Sequence, residues 1–346
     1  MKRYLQTVSC LGAALTVLLA VACSSGDGPG TEAPATEPVA VAFSATVPAF
    51  ATRSIVNDTE DLRTAGFGVF AYYTGNVDWN TAKSTSAPNF MYNQQVNYGS
   101  GSWTYTPVKY WPNDNQPADD SGATGSQTHS YVSFFAFAPY NGDGLALSGN
   151  TATGAPTITY TWGATNDLLY AEPVKNCYKT MPAGYGTVTG QVPFTFRHAL
   201  ALVEFRVRRK TSTGSTITLR SLGITSNGDT GITSNGDTGG TFDLETGVWT
   251  DTTAGSAAPL SYTSPDISVT ASTDETAQPV GRSVMMPGLV TFNYTIDYTV
   301  GSNNYLSAAS MSPMTLAMGY KYTIVFVIDG DQVESYVLRE REAEQW

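Results

Sequence analysis

The sequence predicts an all-β protein, and three observations predict it. Apolar and polar residues alternate with a period of two along several short runs, the pattern of a strand with one buried and one wet face. Turn-forming residues punctuate those runs, with 33 Gly and 18 Pro among 346 residues. No window longer than two turns carries the i, i+3, i+4 stripe of an amphipathic helix. Many short strands with Gly and Pro turns point to β-sandwiches.

The chain opens on Lys2 and Arg3 and continues into the apolar run Val8–Ala22. That run is too short for a permanent membrane span, so 1–22 reads as a signal peptide. It ends at Ala20-Val21-Ala22-Cys23, followed by Ser24, Ser25 and Gly26. A cysteine directly after a small-residue site is where a bacterial lipoprotein takes its diacylglycerol, which makes Cys23 the expected lipidation site. Ala20-x-Ala22 equally fits ordinary signal peptidase, cutting the same bond without lipid, and Ala20 stands where lipoproteins usually have Leu. Each buried acyl methylene contributes about 0.8 kcal/mol, so several chains on Cys23 would anchor the protein stably. Residues 23–38, rich in Gly, Pro, Thr, Glu and Ala, read as a flexible tether. The remaining length suggests two domains, 39–189 and 190–346.

Strand signals then follow in order. Val39–Val47 is strand-like, and Thr59–Thr64, with Asp58 as N-cap, is the one short helix. Phe67–Tyr73 alternates. Tyr131–Phe137 is apolar on both faces and predicts a central strand. Ile158, Tyr160 and Trp162 alternate with Thr, as do Val192, Phe194 and Phe196 with their neighbours. Val290 through Val300 keeps a period of two, and Tyr320 through Ile328 repeats it into the hairpin signal Asp329-Gly330. That turn folds Gln332–Leu338 back onto Tyr320–Ile328. The octapeptide GITSNGDT occurs twice without change, at Gly223–Thr230 and Gly231–Thr238. Two copies cannot build a repeat core, and the duplication reads as slippage with Asn-Gly turns. Asp229 and Asp237 supply too few oxygens for calcium.

Composition narrows the function. The formal charge is −11, and loss of Lys2 and Arg3 takes it two units further. Basic residues are scattered apart from Arg206, Arg208, Arg209 and Lys210, expected at the solvated end of a strand. Nucleic acid therefore has no electrostatic footprint. Only Cys177 remains in the body, a small filler, with no metal-binding cysteine spacing and no cofactor motif. Neither a nucleophile elbow nor a phosphate loop is present. His129 lies in a polar turn region, His198 reads as a hydrogen-bonded structural residue, and Asp119-Asp120 sits in a solvated loop. Enzymatic activity is not expected. Trp103, Tyr105, Tyr110 and Trp111 could form a sugar-stacking platform, but core strands are the better reading of them.

The order of these motifs resembles the fimbrillin family, subunits of the lipoprotein-derived (type V) pili of Gram-negative gut and oral bacteria. The residues that carry the resemblance follow the lipoprotein-like start. They are Phe67–Tyr72, Tyr110-Trp111-Pro112, Tyr131–Tyr140, Asp167–Ala171 and Phe194–Phe205. The resemblance implies two tandem transthyretin-like β-sandwich domains, export to the outer membrane, cleavage after an arginine, and assembly with other pilus subunits by strand exchange. Arg53, in Phe50-Ala51-Thr52-Arg53-Ser54, fits that processing position, with Ser54 as the new N-terminus; Arg63 is the second candidate. Cutting at Arg53 would release Val39–Val47 with the lipid. A strand-deficient sandwich exposes unpaired backbone groups that a neighbour's strand can satisfy, and a head-to-tail contact that does not close makes a filament. Because Gln332–Leu338 is expected in its own hairpin, and Glu340–Trp346 is too polar to fill an open core, an accessory tip or anchor subunit is expected over a stalk subunit. The alternative is a surface lipoprotein that binds glycan or host protein without polymerising.

Overall fold

The structure is a computed structural model that describes residues 38–48, 58–112, 130–179, 190–226, 237–255, 258–274 and 276–338. The expected signal peptide, Cys23, Arg53, Ser54, Asp119, Asp120, His129, Asp229 and 339–346 lie outside the described residues.

The first strands are β1 (Ala42–Thr46), β2 (Phe67–Gly75), β3 (Met91–Gly99), β4 (Ser102–Thr104), β5 (Tyr131–Ala138), β6 (Leu145–Leu147), β7 (Thr157–Thr161), β8 (Leu169–Ala171) and β9 (Val174–Cys177). The middle of the chain gives β10 (Gln191–His198), β11 (Ala201–Arg209), β12 (Ile217–Ser226), β13 (Asp237–Asp243), β14 (Val248–Ala254), β15 (Leu260–Val269) and β16 (Gln278–Met285). The last are β17 (Gly288–Val290), β18 (Phe292–Val300), β19 (Asn303–Ser310), β20 (Met314–Leu316), β21 (Lys321–Asp329) and β22 (Gln332–Leu338). Among the described residues, helices are limited to α1 (Thr59–Ala65) and α2 (Trp79–Ala82), the latter running into a 3-10 turn at Lys83–Thr85. The start of α1 is the expected one: Asp58 Oδ1 accepts from the Glu60 and Asp61 amides at 2.8 and 2.9 Å, satisfying first-turn donors.

The largest sheet runs β1-β10-β8-β5-β2-β3-β4, with β9 beside β5. Its central β5 is buried on both faces from Val132 onward, as its two-sided apolar sequence requires. One face of β2 and β5, with Phe67, Val69, Val132 and Phe134, joins β1 and β10 in the first core. The other face, with Phe70, Tyr72, Phe135 and Phe137, packs against Ile158, Tyr160, Phe242 and Leu244, from or beside the four-stranded sheet β14-β13-β7-β6. Gly68 lies opposite Phe137, and a Cβ there would come within 2.3 Å of that ring. Glycine is what lets the two central strands carry this aromatic layer.

A third core fills the space between two four-stranded sheets, β16-β11-β21-β22 and β15-β12-β18-β19. Val203, Phe205, Ile324 and Phe326 from one sheet meet Leu222, Ile224, Phe292 and Ile296 from the other. This is a β-sandwich, with alternate residues turned inward. The chain leaves the first core at Phe196 and enters the sandwich at Ala201.

Three expectations change in detail. The Val290–Val300 run is not one strand: it breaks at Thr291, and β17 pairs with β20 while β18 pairs with β12 and β19. β21 has no wet face, because Thr323–Ile328 is buried throughout. Its second face, Val325 and Val327, packs with Ala277 and Tyr336, and the run TIVFVI is the continuous apolar pattern of a central strand. The Arg206–Lys210 stretch is not simply a solvated strand end. Arg208, 17% exposed at its side chain, pairs with Asp274 at 2.6 Å and donates to the Tyr336 hydroxyl at 2.9 Å. Lys210 pairs with Glu334 at 3.1 Å. These bonds tie β22 across β21 to β11.

The β21–β22 hairpin forms as its Asp-Gly signal predicts, closing at Asp329 opposite Gln332, with Gly330 at φ 64°. Residues 38–346 make one compact unit. Three pairings cross the 189/190 position: β10 pairs with β1 and with β8 in the first sheet, and β13 pairs with β7. Of the duplicated octapeptide, Gly223–Ser226 ends β12 and Asp237-Thr238 opens β13, while 227–236 lie outside the described residues. Among the described residues, no helix is long and apolar enough to cross a membrane.

Candidate functional site

The feature that the fold sets apart is the slot filled by β1. Val41, Phe43, Ala45 and Val47 point inward and are 2–5% exposed, while Ala42 and Thr46 face out. The period-two sequence thus lays one apolar row into the first core. The Phe43 ring sits 5.3 Å from Tyr105, 5.7 Å from Phe194, 6.1 Å from Phe134 and 6.2 Å from Phe67. Full burial of such a side chain contributes about 1.5–3 kcal/mol.

Backbone bonds seat β1 on both sides. It pairs parallel with β10, from Ala42 against Gln191 to Thr46 against Thr195. On the other side the Val41 amide donates to Lys109 O, and the Trp111 amide to Val39 O, both at 2.9 Å. Ala42 N–H donates to Gly190 O at 3.0 Å. The Tyr105 hydroxyl reaches Val41 O at 2.8 Å, and the Trp111 indole N–H reaches Gly190 O at 3.1 Å. At the far end Val47 and Thr59 exchange two bonds, of 3.1 and 3.3 Å. A parallel strand cannot be closed onto its partner by a hairpin. Toward the C-terminus the covalent path from β1 to α1 runs through Arg53.

Chemically, the slot is a strand-shaped receptor. Without β1 it would present an unpaired β10 edge, the freed Lys109, Trp111 and Gly190 groups, and an open aromatic socket. Any extended segment with apolar residues at alternate positions could refill it.

The remaining candidates fall as follows. Arg63 is on α1, paired with Glu60 at 2.8 Å and lying 4.4 Å over the Tyr98 ring. The aromatic platform does not form: Trp103 and Tyr105 pack against the first core, Trp111 is 2% exposed, and Tyr110 alone faces solvent. His198 is buried with its Nδ1 3.2 Å from Asp167, a structural pair. Cys177 is buried, and burial pushes its thiol up to about 12, which makes it a poor nucleophile.

Two half-buried carboxylates carried no signal in the sequence, because Lys83 and Lys175, and for the other Lys321, are distant along the chain. Glu245, 8% exposed, accepts from the Trp79 indole at 2.8 Å, Lys83 at 3.0 Å and Lys175 at 3.2 Å. Burial alone would raise its pKa, but the hydrogen bonds from Lys83, Trp79 and Lys175 and the Lys175 charge hold it below the usual carboxylate value. Glu204 behaves alike: desolvation is outweighed by Lys321 at 2.9 Å and Arg206 at 3.0 Å. Glu204 ties β11 to β21, and Glu245 ties the β13–β14 turn to α2 and β9. Tyr105, Lys109 and Gly190, which hold β1, were equally invisible as a set, since only folding gathers them.

Comparison with known proteins bears on this geometry. The fimbrillin-like family matches residues 124–346. A fimbrium subunit, Fim1C of Phocaeicola vulgatus, is 34% identical over 164 residues, covering 44% of this chain and 39% of that protein. The match therefore spans well under half of the relative's length. Among solved structures, a fimbrial protein from Bacteroides vulgatus superposes with a TM-score of 0.57 at 23% identity, over 86% of this chain and 98% of that one. A proposed cell adhesion protein from Bacteroides uniformis gives a TM-score of 0.50 at 18% identity, over 90% and 99%. At those identities the two structures attest a shared fold.

Proposed function

This chain belongs to the fimbrillin-like family, and from that premise we propose that it is a non-enzymatic structural subunit of a cell-surface fimbria whose β1 is a removable strand. In this reading Cys23 carries lipid and brings the precursor to the outer membrane. Cleavage between Arg53 and Ser54 then detaches β1, and the vacated slot accepts a strand from another subunit. The observation that supports it most is the seating of β1, buried in its side chains, paired parallel, and joined to the body through the stretch that contains Arg53. The naming of the Phocaeicola relative as a fimbrium subunit agrees with that assignment. We also read the chain as two tandem sandwich modules, 39–189 and 190–346, with β10 and β13 of the second pairing with strands of the first.

The C-terminal hairpin favours an accessory tip or anchor role over a stalk role. β22 is paired along its length with β21 and bonded through Tyr336 and Glu334. Used in its own sandwich, it is not on offer to a neighbour.

The test is arginine-specific proteolysis of the full chain, followed by N-terminal sequencing, electron microscopy and sizing. Ser54 as the new N-terminus, loss of β1 and growth of oligomers are the expected result, and Arg53→Ala should give an uncleaved, unassembled protein. Cleavage at Arg53 that releases β1 and leaves a stable monomer, even with partner subunits added, would sink the strand-exchange reading.

A further inference from the structure

A protein made of sheets must guard each exposed edge, because an open row of N–H and C=O groups templates pairing with other chains. Among the described residues most long edges carry recognisable guarding devices, and the uncharged edge of β1 is bonded at its start through Val41 to Lys109 and through Val39 to Trp111. β16 carries Pro279 and Arg282, and its register against β11 shifts at Phe205/Arg206. β15 carries Pro265 and Asp266, and its register against β12 shifts. β14 has Asp251 at a φ of 49° and two register shifts against β13. β22 carries Glu334, and β4, β6, β17 and β20 have three residues each.

β19 has none of these. Its eight residues, NNYLSAAS, hold no charge, proline or glycine, and they pair with β18 from Asn303 opposite Val300 to Ser310 opposite Asn293 without a shift. Among the described residues no strand pairs with its other side. Leu306 projects from it at 73% exposure, more than any other large exposed hydrophobic residue described.

We propose that β19 is an association edge, and that its occupant is β19 of a second copy of this chain, paired antiparallel about Leu306. The residues themselves favour a copy. The first half of the strand is larger (Asn303, Asn304, Tyr305) and the second smaller (Ser307, Ala308, Ala309). An antiparallel pair centred on Leu306 sets Tyr305 against Ser307, Asn304 against Ala308 and Asn303 against Ala309 of the other copy. Large thus meets small at each flanking position, and Leu306 meets Leu306. The two-fold axis makes the contact isologous and self-limiting. It also keeps residues of equal parity on one face, so Tyr305, stacked 5.5 Å from Tyr298, stays on the core side in both copies. Charge points the same way. The whole chain is at −11, so copies repel each other elsewhere, but this edge is neutral. Asp297, beside Leu306 on β18, would lie about 14 Å from its counterpart across three strand spacings, beyond the Debye length of about 8 Å in physiological salt. Eight strands would then run continuously across the pair. The contact uses neither β1 nor β22, so it is independent of the fimbrial assembly proposed above.

Sedimentation of the full uncleaved chain over a rising concentration series, with Cys23→Ala to exclude lipid, is the first test. A monomer–dimer equilibrium is expected, and Leu306→Lys, which alters an exposed side chain, should remove it while leaving the melting temperature unchanged. Oxidative cross-linking then reads the register. Leu306→Cys should form covalent dimers well above an exposed control, Leu289→Cys, and an Asn304→Cys with Ala308→Cys mixture should cross-link well above either alone. A strictly monomeric wild type, a dimer indifferent to Leu306→Lys, or cross-linking at Leu306 no better than at Leu289 would each overturn the proposal.

Discussion

The first core and the C-terminal sandwich are built from the same material, alternating apolar strands, yet they are closed in opposite ways. The sandwich takes its last strand from a hairpin: β22 follows β21 after a two-residue turn, pairs antiparallel, and is pinned by Tyr336, Arg208 and Asp274. The first core takes β1 from far along the chain: it pairs parallel with β10, whose residues lie almost 150 positions away. A hairpin strand pairs again with its own neighbour as soon as it leaves, because the turn keeps it close. A parallel strand joined through a long connection has no such tether once that connection is cut. The difference lies in what holds each closing strand: a two-residue turn for β22 and distant sequence for β1.

Mutations can break or sharpen that contrast. The largest effect is expected at Phe43, whose ring touches four aromatic residues of the first core. Phe43→Ala should cost about 3–5 kcal/mol, read as a fall in the denaturation midpoint, whereas Val337→Ala on half-buried β22 should cost well under half as much. Equal losses would mean that β1 and β22 close their cores alike.

An intermediate effect belongs to Glu245, which joins the β13–β14 turn to α2 and β9. Its folded pKa is depressed, so its contribution is present above the ordinary carboxylate value of 4.5 and is lost as pH falls through the lower folded value. Melting temperatures compared at pH 7 and pH 3 should therefore drop less for Glu245→Gln than for the wild type. An identical acid loss in both proteins would remove Glu245 from the account.

The smallest effect is expected at Tyr336. Tyr336→Phe removes the hydroxyl that receives from Arg208 and donates to Asp274 but leaves the Arg208–Asp274 pair in place. A loss of about 0.5–1.5 kcal/mol is expected, with faster amide exchange confined to β22. Faster exchange in β1 instead would show that the two closures are coupled.

Much of this was legible in the residues. Alternation placed β7, β10 and β18, two-sided apolarity placed β5 in the middle of its sheet, Asp58 placed the start of α1, and Asp329-Gly330 placed the last hairpin, whereas β2, read as alternating, is buried on both faces. Each of these signals is local: a period, a cap or a turn acts within a few residues, so sequence alone carries it. The order of motifs likewise pointed to the family. What tertiary structure decided is whatever depends on partners far apart in the chain. Val39–Val47 reads as a strand, but its seat beside β10 and against Lys109 and Trp111 needs the folded sheet. The buried second face of β21 depends on Ala277 and Tyr336, the recruitment of Arg208 on Asp274, and the loss of the aromatic platform on where Trp103 and Trp111 pack. Burial, ion pairing and edge exposure are properties of neighbours in space, and a period of two along one chain cannot name those neighbours.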